Sequence, residues 1–340
     1  MGGAAQAASG DDFSISTGQV TLSGGESTTF TLDASTDTEN EPLEGVQISL
    51  LNDNFETVAS ETSGIRNVAT GETFNLKNDD SSDGATDDIT GTAQDDTFRG
   101  NRDEAFGDSD ILDGAGGTDV LNTRQTVGVD GKDGDDTIAG ETSNIERVFL
   151  DASFEDSNAG NTDFTLDSDN MTGVEQLWND GSSNTTNGNN AETLILDNVS
   201  LDTTVGFRDS GVATQVNFND TNGNDDTANF VLDGVAARTA GTPDNDDGQL
   251  SDLKADDVET FDITATGDAS TLGSLSGNSV STVKVSGDAN FNVLGLATSV
   301  DTVDANSLDG SLGLTAGNTD LTVTGTANAD RFSFGSNLDS

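Results

Sequence analysis

Residues able to do chemistry are concentrated between positions 91 and 138, where Asp and Gly recur with a large apolar residue at a fixed offset. Gly114 to Asn122 follows the nonapeptide pattern G-G-x-G-x-D-x-U-x, with Asp119 and Leu121 at the D and U places and Ala115 replacing the second Gly. One repeat earlier Asp110 and Leu112 take those two places, and Gly131 to Ile138 repeats them with Asp136 and Ile138. Degenerate units carry Asp96 with Phe98, and Asp330 with Phe332. Glycines permit tight turns whose carbonyls point inward. A carboxylate joined to such carbonyls makes a hard oxygen set, which suits Ca²⁺ with its roughly six to eight oxygen ligands. The candidate ligands at the Asp place are Asp110, Asp119 and Asp136; Asp113, Asp133 and Asp135 stand beside them. For Asp96 and Asp330 a solvated turn explains the residue equally well. A complete site needs a second turn stacked about two repeats along. Asp136 falls one place short of two full repeats beyond Asp119, which nearly fits, whereas the place two repeats beyond Asp110 is Gly128. One or two calcium sites are therefore expected rather than a long calcium ladder.

Composition narrows the chemistry further. The 340 residues include 63 Asp and Glu against 12 Lys and Arg, a formal net charge of −51, and neither Cys nor His. Disulfides, thiolate metal sites and every mechanism that uses imidazole are excluded. Nucleic acid and anionic membrane surfaces would repel the chain, so neither nucleic-acid binding nor membrane insertion is expected. Adjacent pairs such as Asp95-Asp96, Asp135-Asp136 and Asp256-Asp257 sharpen the problem. Two carboxylates ~6 Å apart repel by about 0.7 kcal/mol even in water, so bound cations or salt are needed. No run of about 18 apolar residues is present to suggest a membrane helix. The segment Met1 to Ser9 has neither a charged nor an apolar signal region, and secretion by a signal-peptide-independent route into an extracellular setting is expected. An acidic cytosolic protein adapted to salt is the alternative.

Catalysis is not expected. Bases are few and scattered, Trp178 is the single Trp, and in a chain with 63 acids some carboxylate pair always resembles a glycosidase dyad by chance. The rung glutamates Glu146, Glu175 and Glu259 are expected at corners facing solvent, with calcium ligation as the other possibility. The acidic run Asp244 to Asp247 reads equally as a calcium site or a solvated insertion.

The elements that must hold these residues are strands. No sustained helical periodicity occurs; short β runs are punctuated by Gly, Asn, Asp and Ser. Residues 1–76 read as a small N-terminal β domain, sandwich-like, with candidate strands Phe13–Ser16, Gln19–Leu22, Thr28–Leu32, Val46–Leu51, Glu56–Ala59 and Thr73–Leu76. Residues 77–140 form the Gly/Asp-rich segment. In 141–340 apolar centres recur near Phe261, Leu272, Val283, Val293, Val303, Leu312, Val323 and Phe332, at a near-constant interval of about ten. That interval, with polar corners and no helices, predicts an all-β chain built as a parallel β-solenoid (β-helix or β-roll) of two or three strands and about 20–30 residues per coil. A large antiparallel sandwich is the competing architecture.

The segments Thr90 to Phe98, Gly107 to Asn122 and Ser143 to Glu146, with the rungs Gly173 to Leu177 and Asp257 to Ile263, resemble bacterial S-layer and S-layer-like proteins of the calcium-nonapeptide (RTX) group. The resemblance spans roughly residues 73–335. It implies an extracellular Ca²⁺-binding structural protein whose partner is itself, in a surface layer or filament; cell-surface polysaccharide is a further expected partner. It also implies export through a type I system. A calcium-dependent adhesin and a polysaccharide-acting β-helix enzyme are the alternative functions.

Overall fold

The computed structural model describes residues 71–77, 86–101, 105–127, 136–154, 163–184, 193–235, 251–317 and 320–334, together with the backbone of five strands within 1–70. The chain divides into two compact units, Met1–Glu72 and Thr73–Ser340. The first holds two small sheets. In one, Gln6–Ala7 runs parallel to Glu44–Leu51, which pairs antiparallel with Thr57–Ile65; in the other, Phe13–Ile15 pairs antiparallel with Leu32–Ala34. The expected strand Gln19–Leu22 lies outside the described residues.

The second unit is built from large parallel sheets, and no helix occurs among the described residues. The longest sheet has 12 strands, on a path from Thr73–Asn75 to Thr322–Thr324. A second, of 10 strands, runs from Asp136–Ile138 to Arg331–Phe334, and a third, of 4, from Asp88–Thr90 to Met171–Thr172. The chain visits these sheets in turn and returns to the long sheet once per coil. Register on that sheet pairs Thr97 with Val120, Arg147 with Gln176, Thr227 with Thr260 and Thr282 with Thr302, so coil length varies along the chain and is shortest near its end. This arrangement is consistent with a β-helix or solenoid.

The period-2 alternation of each strand sends apolar residues inward, and parallel register stacks like on like. Phe74, Phe98, Leu121, Val148, Leu177, Val205, Phe230, Ile263 and Val285 follow one another at the same place on successive strands. Each buried side chain of this size contributes roughly 1.5–3 kcal/mol relative to exposure. Phe230 also meets Phe261 edge to face, with ring centroids 5.4 Å apart. Corners are turned by left-handed residues: Asn144, Asn198, Asp209 and Asp257 have φ between 50° and 62°, which short polar side chains tolerate. At Gly287 (φ 110°) a Cβ would run into the Ala265 carbonyl, so only glycine fits.

Each of the eight apolar centres named above lies in a strand. Phe261, Val283, Val303 and Val323 fall on the long sheet and the other four on the second, so the interval of about ten is half a coil. Two expectations change. Every pairing given for the second unit is parallel, which removes the large antiparallel sandwich. Thr73–Asn75, expected in the N-terminal block, pairs parallel with Thr97–Gly100 as the first rung of the long sheet, because Phe74 stacks on Phe98 at 5.1 Å. The ladder then passes through residue 140 on both the long and the short sheet.

Phe230→Ala, at the centre of the inward column, should cost about 3–5 kcal/mol of unfolding free energy in chemical denaturation.

Candidate metal centre

At the start of several rungs the backbone leaves the ladder for a corner, and an N–H there has no strand carbonyl as partner. Such groups must be satisfied within the protein. Here a carboxylate from the next coil accepts them. Asp96 N–H donates to Asp119 Oδ1 at 2.6 Å, and Asp119 N–H donates to Glu146 Oε2 at 2.6 Å. Asp87 N–H donates to Asp110 Oδ1 at 2.8 Å, Asp226 N–H to Glu259 Oε2 at 3.0 Å and Leu312 N–H to Asp330 Oδ1 at 2.9 Å. In each case donor and acceptor occupy equivalent places, one residue before register-paired positions. Carboxylates that accept N–H bonds in this way gain charge-assisted hydrogen bonds, stronger than neutral ones.

The clamps share a sequence signature, an acid two places ahead of the first apolar residue facing the rung interior: Asp96 and Phe98, Asp110 and Leu112, Asp119 and Leu121, Glu146 and Val148, Glu259 and Phe261. Period 2 puts both members on the inward face, so Asp87, Asp96, Asp110 and Asp119 are all buried. The expectation that Glu146 and Glu259 face solvent gives way to a clamp role, and of the three rung glutamates only Glu175 is exposed. Asp87 and Asp226, which lie outside the nonapeptide units, take part in the same scheme.

The expected ligands fall into distinct places. Asp96 accepts from Thr92 N–H at 2.5 Å and from the Thr92 hydroxyl at 3.0 Å. Asp110 uses its second oxygen to accept from Gly107 N–H at 2.9 Å. Asp113 accepts from Asn144 Nδ2 at 2.8 Å and Ala115 N–H at 2.9 Å, and these bonds hold its carboxyl below the usual range. Burial pushes the Asp330 carboxyl up, but Leu312 N–H, Thr326 N–H and the Thr326 hydroxyl outweigh it and hold it below the usual range. Asp133 and Asp135, and the acidic run Asp244 to Asp247, lie outside the described residues. Asp136 opens a strand of the second sheet, in register with Phe164. Asp119, on the approach to the long sheet, therefore stacks on Asp96 and Glu146, one coil away on either side, rather than on Asp136.

Asp119 stands apart. It is 0 % exposed, Oδ1 is engaged, and Oδ2 has no hydrogen-bond partner. Burial, with the nearby charges of Asp96, Glu146 and Asp95, pushes its carboxyl up to about 6, against the opposing bond from Asp96 N–H. A Cβ at Gly114 would strike both Asp119 Oδ2 and the Asn144 carbonyl, so these two oxygens face the same small space across Gly114. The donor type fits a hard cation. The described residues do not complete a coordination shell, since no group of three or more acids is placed to close round a metal among them.

A folded-state carboxyl raised from 3.8 to about 6 contributes stability that is fully present below pH 3.8 and lost as pH rises through 6. In chelator, wild type should lose more stability than Asp119→Asn across that pH window, read as the difference between their melting curves. The Asn supplies the same acceptor to Asp96 N–H and a neutral donor toward the Asn144 carbonyl.

No protein-family model, curated protein or solved structure matches the chain.

Proposed function

We propose that the chain is an extracellular calcium-binding structural protein: a parallel β-solenoid, preceded by a small β-sandwich, that assembles with copies of itself into a surface layer or filament. The observation that carries the reading is the orphaned, fully buried Oδ2 of Asp119 inside the Asp96–Asp119–Glu146 stack. Above the raised pKa of Asp119 its buried carboxylate lies beside the charges of Asp96 and Glu146, and a divalent cation would offset that repulsion. Asp119 and the Asn144 carbonyl would contribute to holding Ca²⁺. The ion would supply charge compensation and local rigidity.

Self-association is supported by charge and by the ladder itself. A net charge of −51 keeps copies apart, and divalent cations that screen or bridge carboxylates remove that barrier. The strand Arg331–Phe334 pairs on one side only among the described residues, and Phe332 and Phe334 are 39 % and 45 % exposed. Unpaired strand edges of this kind favour strand addition.

With millimolar Ca²⁺ the purified protein should form ordered layers or filaments in electron micrographs and melt at higher temperature; chelator should reverse both. Protein that stays monomeric at every calcium level would exclude assembly. A melting curve indifferent to Ca²⁺ and chelator would exclude the calcium role.

A further inference from the structure

Two columns of outward residues run side by side across four successive strands of the long sheet. One reads Asn122, Phe149, Trp178, Gly206 in register. The other, two places further along each strand, reads Arg124, Asp151, Asp180, Arg208. In a chain of net charge −51 this second column is balanced, two Arg against two Asp. Arg208 grips Asp180 with two bonds of 2.7 Å, and its guanidinium lies 5.4 Å from the Phe149 ring centroid and 5.8 Å from that of Trp178. Arg124 approaches Asp151 at 3.8 Å.

The aromatic column is ordered from one end. Trp178 lies against Gly206, where any Cβ would collide with its indole, and Phe149 stacks on Trp178 at 5.9 Å with planes 18° apart. The next residue in the column is the much shorter Asn122. A pocket of about 250 Å³ opens there, lined by Asn101, Asn122, Arg124, Phe149, Asp151 and Asp180 together with Gly100 and Thr123. It is smaller than the roughly 300–1,000 Å³ of pockets for drug-sized ligands, with room for about one sugar ring.

We propose that this pocket is a binding subsite for one pyranose unit of a neutral polysaccharide. The Phe149 ring, backed by Trp178, offers a carbon surface to the C–H face of the sugar. The Asn101 and Asn122 amides, the Arg124 guanidinium and the Asp151 and Asp180 carboxylates offer donors and acceptors to its hydroxyls. A uronic-acid chain would bring its carboxylates against Asp151 and Asp180 within a strongly negative protein. Asp119 is not among the residues that line the subsite.

Trp178 is the single Trp and the chain has no Tyr, so intrinsic fluorescence reports on this place alone. Titration with cellotetraose, maltotetraose, xylotetraose and a tetragalacturonate should give a saturable change in Trp178 emission with at least one neutral oligosaccharide. Asn122→Phe, which continues the ring column into the pocket, should weaken that response at least tenfold with the melting temperature retained. Asp151→Asn should weaken it as well. No response to any neutral sugar, a response to tetragalacturonate alone, or full binding by Asn122→Phe would overturn the assignment. Because the readout is sugar binding by soluble protein, it succeeds or fails independently of calcium-driven assembly.

Discussion

A parallel ladder satisfies its own backbone along the strands but not at every place where a rung begins. At several of them the chain turns away, and an N–H points toward the next coil with no carbonyl to meet it. This chain answers with a carboxylate placed one coil later at the equivalent position, as Asp119 does for Asp96 and Glu146 does for Asp119. Other features follow from that choice. The acid must precede the inward apolar residue by two, because only that parity turns it into the corner. The coils must stay in register, because a slip of one residue would turn both the clamp and the core outward.

The same choice creates a conflict. In-register clamps stack acid upon acid at about the 4.7–4.9 Å spacing of neighbouring strands. Where the acid also accepts from its own turn, as Asp96 does from Thr92 and Asp110 from Gly107, donors compensate the charge. At Asp119 the turn supplies none to Oδ2, and the conflict appears as a carboxyl pushed up to about 6. A net charge of −51 is therefore a poor guide to cation demand. Several acids already accept N–H bonds, and the uncompensated carboxylate oxygen among the described residues is the buried Oδ2 of Asp119.

Much of the architecture is legible in the sequence because period and composition constrain it directly. Alternating Val, Leu and Phe at intervals of about ten, with Gly and Asp corners, specify half-coils, and all eight apolar centres lie in strands. The N-terminal boundary is less legible, since Thr73–Leu76 looks like any short strand until Phe74 is seen stacked on Phe98. The site is legible as a set of residues and not as a geometry. The pattern D-x-U marks clamp and ligand alike, and a nonapeptide count places the partner of Asp119 two repeats along, at Asp136. The coils are longer than two such repeats, so Asp119 meets Asp96 and Glu146 instead. The extra length forms a third strand, such as Ile111–Asp113 or Glu141–Ser143, which a nonapeptide count cannot anticipate.

The outer face of the long sheet obeys a weaker rule than the inner one, and that is where chemistry can be added without disturbing the coil. Inward places are held by core volume and by clamps, so their variety is small. Outward places need only stack tolerably on their neighbours, so one column can hold Asn122, Phe149, Trp178 and Gly206 in sequence. The size steps in that column have opposite effects at its two ends. Gly206 lets the Trp178 indole lie down on the backbone, which fixes Phe149 above it. Asn122 fails to cover Phe149, which leaves the pocket. A repeating fold thus gains a single localised site through two departures from its own stacking regularity, and the charge-balanced column beside it keeps that site usable on an otherwise acidic surface.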